Sequence, residues 1–243
     1  MIIKTLAIPL AYYPYSNTSR IVHWLTRHHG KISTLFKGAL RPKSPFLGEY
    51  ELFSTSELLY LPRRTGTLHP GKECALLHPR PIFRTNWRAM QAASYISALF
   101  NRTLPEESPH PGLFEFYEAL LDLAEEYGNT PTFLPWAELQ FCTHLGHAPN
   151  LENCTLCGTA QNLAFSAPSG GTICGNCSQK HRIPTLGTSP ELLATLQNWQ
   201  QAHHPQNTIA PPAKQKVRIS TLLGTFMHYH FSIPSETRTA SGL

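Results

Sequence analysis

The pattern of apolar and polar positions changes its period near residue 80. Upstream of this point, short runs rich in β-branched and aromatic residues are separated by Pro and Gly, which is typical of strands joined by turns. The predicted strands cover residues 4–13, 20–26, 31–37, 47–53, 58–61 and 74–77. So many short strands in one segment predict a small closed barrel, because an open sheet of this size would leave its edges exposed.

Downstream of residue 80, the apolar residues recur with the period of a helix. The predicted helices cover residues 85–101, 113–127, 135–145, 191–201 and 213–230. Thr85 and Ser189 are the predicted caps of the first and the fourth helix, and the polar tail after Pro234 is expected to be frayed. Strands followed by helices, without alternation, predict an α+β chain of two domains, over residues 1–82 and 83–243.

Four of the six cysteines form two closely spaced pairs: Cys154, Cys157, Cys174 and Cys177. Each pair encloses two residues, and 16 residues separate the pairs, a spacing typical of a four-thiolate zinc site. Four thiolates leave no position for water, so the predicted Zn²⁺ would be structural. We therefore predict a zinc ribbon inserted into the helical domain at about residues 151–183. Two other interpretations stay open, namely disulfides and a site that keeps its cysteines without metal.

Glycines near the cysteines predict the shape of the ribbon. Gly158 and Gly175 each follow a cysteine, where a positive φ would free backbone N–H groups for the sulfurs. Residues 168–171 (Pro-Ser-Gly-Gly) predict the tip of a hairpin between the pairs. Cys74 and Cys142 stand alone among apolar residues and are interpreted as core residues.

The net charge of +5 is unevenly distributed along the chain. Residues 1–88 contain 13 Lys and Arg against four Glu, whereas residues 89–150 contain one Arg against eight acidic residues. The remaining 93 residues contain six basic residues against three acidic ones. A basic block of this kind concentrates polyanions, and nucleic acid is the commonest inside cells. A solvated basic face without a partner is the alternative.

Motifs for several enzyme classes are missing from the sequence. No His-Glu-x-x-His, phosphate-binding Gly-Lys loop or Gly-x-Gly-x-x-Gly occurs, and the few Glu of the basic block do not cluster as a two-metal nuclease needs. No apolar window approaches the length of a membrane span. We therefore expect an intracellular binding protein without catalytic activity.

Four stretches of the sequence resemble the RecO recombination-mediator family. They are residues 13–31, which contain Tyr13, Arg20 and Gly30-Lys31; residues 37–44, from Lys37-Gly38 to Lys43-Ser44; residues 138–158; and residues 165–177. The resemblance covers nearly the whole chain, and the stretches occur in the family's order. Two departures stand out. His147 replaces an expected tyrosine, and residues 233–236 (Ile-Pro-Ser-Glu) replace a basic stretch, which puts any role of the tail in doubt.

The resemblance implies an oligonucleotide-binding (OB) barrel followed by a helical domain with an inserted zinc ribbon. It also implies a DNA repair and recombination mediator that binds and anneals single-stranded DNA and helps to load recombinase onto coated DNA. The implied partners are RecR and single-strand-binding protein, and the implied location is the cytoplasm, in association with the nucleoid.

Basic side chains of the barrel are the candidate phosphate contacts, because an OB groove tracks the backbone while aromatic faces stack on bases. The candidate DNA-binding residues are Arg20, Arg27, Lys31, Lys37, Arg41 and Lys43. The candidate stacking residues are Tyr13, Tyr15, Trp24, Phe36 and Phe46, and for Trp24 and Phe36 a place in the barrel core is the favoured interpretation. The next candidate contacts are Lys214, Lys216 and Arg218.

Two other function classes remain open. One is an RNA-modifying or nucleotide-processing enzyme with a barrel and a structural zinc ribbon. The other is a zinc-ribbon transcription or translation factor, which would prefer duplex DNA or structured RNA.

Overall fold

The computed structural model describes residues 1–242, which form two compact units, Met1–Glu126 and a second that begins at Tyr127. The strands are β1 (Ile3–Pro14), β2 (Arg20–Thr26), β3 (Gly30–Phe36), β4 (Thr55–Tyr60), β5 (Leu68–His78), β6 (Leu163–Ser166), β7 (Gly171–Cys174) and β8 (Leu186–Gly187). The helices are α1 (Ile82–Thr85), α2 (Trp87–Thr103), α3 (Leu113–Tyr127), α4 (Phe133–His144), α5 (Gly175–His181), α6 (Pro190–Gln201), α7 (Ala213–Phe231) and α8 (Ser235–Thr239). A short 3₁₀ helix covers Pro205–Asn207.

The first five strands close into a barrel in the order β1-β2-β3-β5-β4. All neighbours are antiparallel except β3 and β5, which run parallel. A five-stranded barrel with this crossover is the architecture of the OB fold, which confirms the predicted fold class. Within the described residues, no helix is long and apolar enough to cross a membrane.

Alternating side chains fill the barrel. Trp24 and Phe36 are fully buried, with their ring centroids 6.2 Å apart, and the Trp24 indole N–H donates to Thr34 Oγ1 at 2.8 Å. A Cβ at Gly71 would lie 2.5 Å from the Phe36 ring, so only glycine fits there. Both aromatic residues are therefore core residues, as the favoured interpretation had it.

Arg80 fastens α3 to the barrel within the first unit. Its side chain is completely buried, and its Nε and Nη2 donate to Asp122 Oδ1 at 2.8 and 2.6 Å. Its Nη1 donates to the Phe53 carbonyl at 2.7 Å. The helices up to Glu126 thus belong to the barrel's compact unit, while the domain boundary at residues 82 and 83 stays a prediction.

Three local predictions were wrong. Residues 47–53 form turns instead of a strand, because Gly48 and Phe53 both adopt a positive φ, of 84° and 68°. The cap of α2 is Asn86, whose side chain accepts from the Ala89 N–H at 3.2 Å. The tail after Pro234 is not frayed, since α8 buries Arg238.

In the second unit, helices α4, α6 and α7 enclose an apolar core. Trp136 and Trp199 are both buried there, and their indole N–H groups donate to the carbonyls of Ala202 and Ile209 at 2.8 and 2.9 Å. Ser189 caps α6 by accepting from the Leu192 N–H at 3.2 Å, as predicted. A three-stranded sheet has the order β7-β6-β8, and α5 follows β7 directly. Cys174 ends β7 and Cys177 lies in α5, whereas Cys154 and Cys157 lie in the turn that precedes β6.

Candidate metal centre and nucleic-acid interface

The four paired cysteines meet at one point of the second unit. The Sγ atoms of Cys154, Cys157, Cys174 and Cys177 all lie within 4.8 Å of one another, and those of Cys157 and Cys174 are 3.7 Å apart. Zn–S bonds of about 2.3 Å in a tetrahedron place the sulfurs roughly 3.8 Å apart. The donor set and its spacing therefore fit one tetrahedral metal ion of the size of zinc.

The two pairs reach this geometry by different local structures. At the first pair, Gly158 adopts a φ of +76° and its N–H donates to the Cys154 carbonyl at 2.9 Å, as predicted for a tight turn. At the second pair, Gly175 is the first residue of α5, so the prediction of a left-handed turn there was wrong. Cys174 instead caps this helix, with its Sγ 3.5 Å from the Cys177 N–H.

The surroundings of the Cys154 sulfur already favour thiolate. Burial acts to raise the pKa of Cys154, but backbone N–H groups of Cys174, Cys157 and Leu156 outweigh it and lower the pKa to about 6. The pKa of Cys177 is raised to about 12, chiefly by hydrogen bonds with Cys157 and Cys174. Thiolate is the metal-binding form, so the lowered pKa of Cys154 favours binding of a cation, and a cation bound here would favour loss of the Cys177 proton.

Gly171 allows the β6–β7 hairpin, which leads to the second cysteine pair, to pack closely against the segment that precedes Cys154. Strands β6 and β7 pair from Leu163↔Cys174 to Ser166↔Gly171, so the predicted hairpin tip lies between them. A Cβ at Gly171 would lie 2.1 Å from the Asn150 carbonyl oxygen. The close approach allows Thr172 N–H to donate to that oxygen at 2.8 Å, which holds the hairpin against the segment leading to Cys154.

Three of the predicted DNA contacts lie in the loop between β3 and β4. Lys37, Arg41 and Lys43 are exposed, and within residues 1–242 their side chains make no ion pair or hydrogen bond. The Leu40 N–H donates to the Thr18 carbonyl at 3.0 Å, which joins this loop to the turn between β1 and β2. The three cations therefore stand free at the barrel end where β3 finishes.

Arg20 belongs to the same barrel end. It is the first residue of β2, and its guanidinium carbon lies 4.5 Å from the centroid of the Tyr12 ring and 5.8 Å from that of Tyr50. Arg20 and Arg41 both line one cavity of about 350 Å³. The structure thus brings Arg20, Lys37, Arg41 and Lys43 together at one end of the barrel.

Arg27 and Lys31 lie at the opposite end, at the hairpin between β2 and β3, because a strand of seven residues spans about 23 Å. Lys31 is largely buried, and its Nζ donates to the Asn101 carbonyl at 2.8 Å and lies 3.5 Å from Glu106 Oε1. Arg27 donates to Glu115 Oε1 at 2.9 Å. Both cations are paired with carboxylates, and Lys31 is also largely buried, whereas Arg27 is partly exposed.

The candidate stacking residues also divide into exposed and buried side chains. Tyr13 and Tyr15 are exposed, and the Tyr13 ring lies 5.1 Å from that of His23. Phe46 is half-buried and packs 4.7 Å from the Phe36 centroid, inside the barrel end. Of the five candidate stacking residues, only the two tyrosines are therefore exposed.

Sequence reasoning missed Tyr12 and Tyr50, the two rings that flank Arg20. Tyr12 is 40% exposed. Simple alternation along β1 would place it on the face opposite Ala7, but the bulge between Pro9 and Ala11 pairs it with the buried Val22 and brings it to the same face. Tyr50 could not have been found, because its segment was predicted as a strand and is an irregular loop.

Comparison with family models places the chain among recombination proteins. A model described as Recombination protein O N terminal matches residues 1–80, and one described as Recombination protein O C terminal matches residues 84–238. The chain belongs to the RecO family, as the sequence resemblance suggested.

Individual relatives support the same family membership. The chain is 32% identical over 201 residues to the DNA repair protein RecO of Rhodopirellula baltica, which covers 79% of this chain and 73% of the relative. It is 33% identical over 206 residues to the protein of that name from Bacillus subtilis, covering 79% and 76% of the two chains. For Bacillus pumilus the identity is 28% over 229 residues, with 90% and 86% covered.

Proposed function

We propose that this protein is a non-catalytic DNA repair mediator that binds and anneals single-stranded DNA and helps to load recombinase onto coated DNA. The observation that carries the proposal is the cluster of four cations at one end of the barrel: Arg20, Lys37, Arg41 and Lys43. None of the four makes an ion pair within the described residues, so their charge is available to phosphates. We call this surface the basic barrel end.

The basic barrel end combines both requirements of single-strand binding. Cations neutralise the backbone, and exposed aromatic faces such as Tyr12, Tyr13 and Tyr15 stack on bases without reading their order. Arg27 and Lys31 are left out of the proposed contacts, because both pair with carboxylates.

Annealing follows from the same charge. Two complementary strands repel each other through their phosphates, and cations that neutralise both strands lower this repulsion. Base pairing then supplies the driving force, so no reacting group and no ATP are needed.

The four cysteines would hold Zn²⁺, which would link the two turns of the ribbon and stabilise the fold around it. We further propose RecR and single-strand-binding protein as partners, and a location in the cytoplasm in association with the nucleoid. These assignments rest on membership of the family.

The test compares the binding of single-stranded DNA by the parent and by two charge-reversal variants over a range of salt concentrations. A Lys37→Glu, Arg41→Glu variant should bind weakly while keeping the parent's melting temperature, because both side chains are exposed and make no ion pair or hydrogen bond within the described residues. The matched control is Lys214→Glu, Lys216→Glu, which makes the same change of charge on exposed residues of α7. Binding equal to the parent's by the first variant, with loss in the second, would move the interface to α7.

A second measurement separates the proposal from the enzyme alternative. Complementary oligonucleotides coated with single-strand-binding protein should anneal when the purified protein is added without ATP. Annealing that requires ATP, or a chemically altered oligonucleotide after incubation, would favour the alternative of a nucleotide-processing enzyme.

A further inference from the structure

A cavity opens within the basic barrel end. Its volume is about 350 Å³, and its walls include Tyr12, Arg20, Arg41, Phe46, Gly48 and Tyr50. This volume lies at the lower end of the range of small-molecule sites. We refer to it as the Arg20 cavity.

The position of Arg20 is fixed by stacked aromatic rings. Its guanidinium lies over the Tyr12 ring at 4.5 Å and near the Tyr50 ring at 5.8 Å. Tyr50 in turn stacks on Phe36, with an interplanar angle of 10° and a centroid distance of 5.4 Å. Because Phe36 is fully buried in the barrel core, this arrangement holds the guanidinium in one place.

Arg20 has an unused hydrogen-bonding capacity. Its Nε is buried and has no hydrogen-bond partner among the residues that the structure describes. Arg20 also makes no ion pair within residues 1–242, so the outer nitrogens of its guanidinium remain available to an acceptor on a ligand. The acidic residue on the cavity wall, Glu51, does not supply that acceptor, since it pairs with Arg84. The cavity is therefore rich in donors and has aromatic walls.

We propose that the Arg20 cavity holds a single base of the bound strand and prefers cytosine and guanine. The inference rests on the proposed binding of single-stranded DNA and goes beyond it by adding base selectivity. Arginine carries only donors in a planar fork, which matches two adjacent acceptors. Guanine offers O6 beside N7, and cytosine offers O2 beside N3, whereas an N–H or NH₂ donor interrupts the acceptors of thymine and adenine.

The ring face of the base would lie against Tyr12, which is exposed and faces Arg20. Stacking alone is tolerant of sequence, since every base has a π-face. Selectivity would therefore come from Arg20, and Tyr12 would contribute affinity for any base.

The first experiment compares oligodeoxycytidylate with oligothymidylate of equal length, using fluorescence anisotropy of the full-length protein near neutral pH. The parent should bind the cytosine strand about 5-fold more tightly or better. Arg20→Lys keeps the charge and removes the fork, so the two strands should then bind alike. The control Arg27→Lys makes the same change at the other barrel end and should keep the preference.

The second experiment tests stacking. The parent should bind an oligothymidylate about 5-fold more tightly than an abasic strand with the same number of phosphates. Tyr12→Ala should abolish most of this difference, whereas Tyr229→Ala, which removes an exposed ring of α7 outside the basic barrel end, should preserve it. The melting temperature of each variant verifies its fold.

The outcomes separate the two hypotheses. Equal binding of the cytosine and thymine strands by the parent overturns the base cavity and leaves the DNA-binding proposal intact. A preference that survives Arg20→Lys also overturns it. Absence of binding to any single strand overturns both.

Discussion

Arg238 and Glu138 form a buried ion pair with two hydrogen bonds, although 100 residues separate them along the chain. Arg238 Nε donates to Glu138 Oε1 at 2.7 Å, and Nη2 donates to Oε2 at 2.9 Å. Glu138 is completely buried in α4, and Arg238 Nη1 also donates to the Ser220 carbonyl of α7 at 2.8 Å. The pair therefore ties the short helix α8 to two long helices of the second unit.

Removing one partner of this pair should destabilise the protein strongly. Arg238→Ala leaves the Glu138 carboxylate buried without its counterion, which typically costs about 3–5 kcal/mol. Urea unfolding followed by circular dichroism measures the change in the free energy of unfolding. Lys214→Ala, an exposed basic residue of α7, is the control and should change it by less than about 0.5 kcal/mol. A loss below about 1 kcal/mol for Arg238→Ala would contradict the predicted role of the pair.

We expect that position 224 of α7 is a glycine because the Arg238 guanidinium leaves no room for a side chain there. A Cβ at this position would lie 2.5 Å from Arg238 Nη1. In the parent, Gly224→Ala should therefore destabilise the protein by displacing the guanidinium. In the Arg238→Ala background the space is free, and the same substitution should stabilise the protein by about 1 kcal/mol, the helix propensity of alanine over glycine. A double-mutant cycle of unfolding free energies checks the change of sign. Additive effects would contradict it.

This pair also explains why the sequence misled about the tail. Its polar residues after Pro234 predict fraying, because the carboxylate that receives Arg238 lies far away in the chain. Ile233, which departs from the family's basic stretch, is fully buried. Burial and pairing between distant segments depend on tertiary structure, which local patterns do not contain.

The metal centre was predictable for the opposite reason. Its ligands are set by short spacings, and the glycine after Cys157 takes the positive φ that a tight turn needs. The same holds for strands such as β2, where the predicted residues 20–26 match the observed bounds. Local chemistry was sufficient in both cases.

Loss of one cysteine ligand should release the metal and destabilise the ribbon. Structural zinc contributes on the order of 10 kcal/mol to the folding of a small site near neutral pH. Cys174→Ser should therefore give insoluble or protease-sensitive protein, whereas Cys74→Ala, outside the site, should retain about one zinc per chain. Metal analysis of the purified proteins measures this. Less than about half an equivalent in soluble, well-folded parent protein would contradict a structural zinc site.

Cys74 should be inert in the native protein. Burial raises its pKa to about 12, so near neutral pH it carries almost no thiolate, the nucleophilic form. Iodoacetamide should leave Cys74 unmodified in the folded protein and alkylate it in urea, as read by peptide mass spectrometry. Rapid alkylation under native conditions would show that the barrel opens around β5.

Which cations are free could not be derived from the sequence. Lys31 and Lys37 are the same residue type and lie six positions apart, yet Lys31 is held by Asn101 and Glu106, which follow much later in the chain. Lys37 has no ion pair within residues 1–242. The charge pattern predicted a basic barrel. Which of its cations are paired in the fold and which are free depends on contacts with residues distant in the sequence.

The two lysines should therefore give opposite results when replaced by alanine. Lys31→Ala leaves Glu106 without its counterion and the Asn101 carbonyl without its donor, and should lower the free energy of unfolding by about 1–3 kcal/mol. It should barely change the slope of log affinity for single-stranded DNA against log salt. Lys37→Ala should leave stability within about 0.5 kcal/mol of the parent and make that slope shallower by about 0.7, the loss of one phosphate contact. Urea unfolding measures the change in stability of both variants, and salt titrations of DNA binding measure the change in slope. Equal slopes for the two variants would show that Lys37 does not contact the strand.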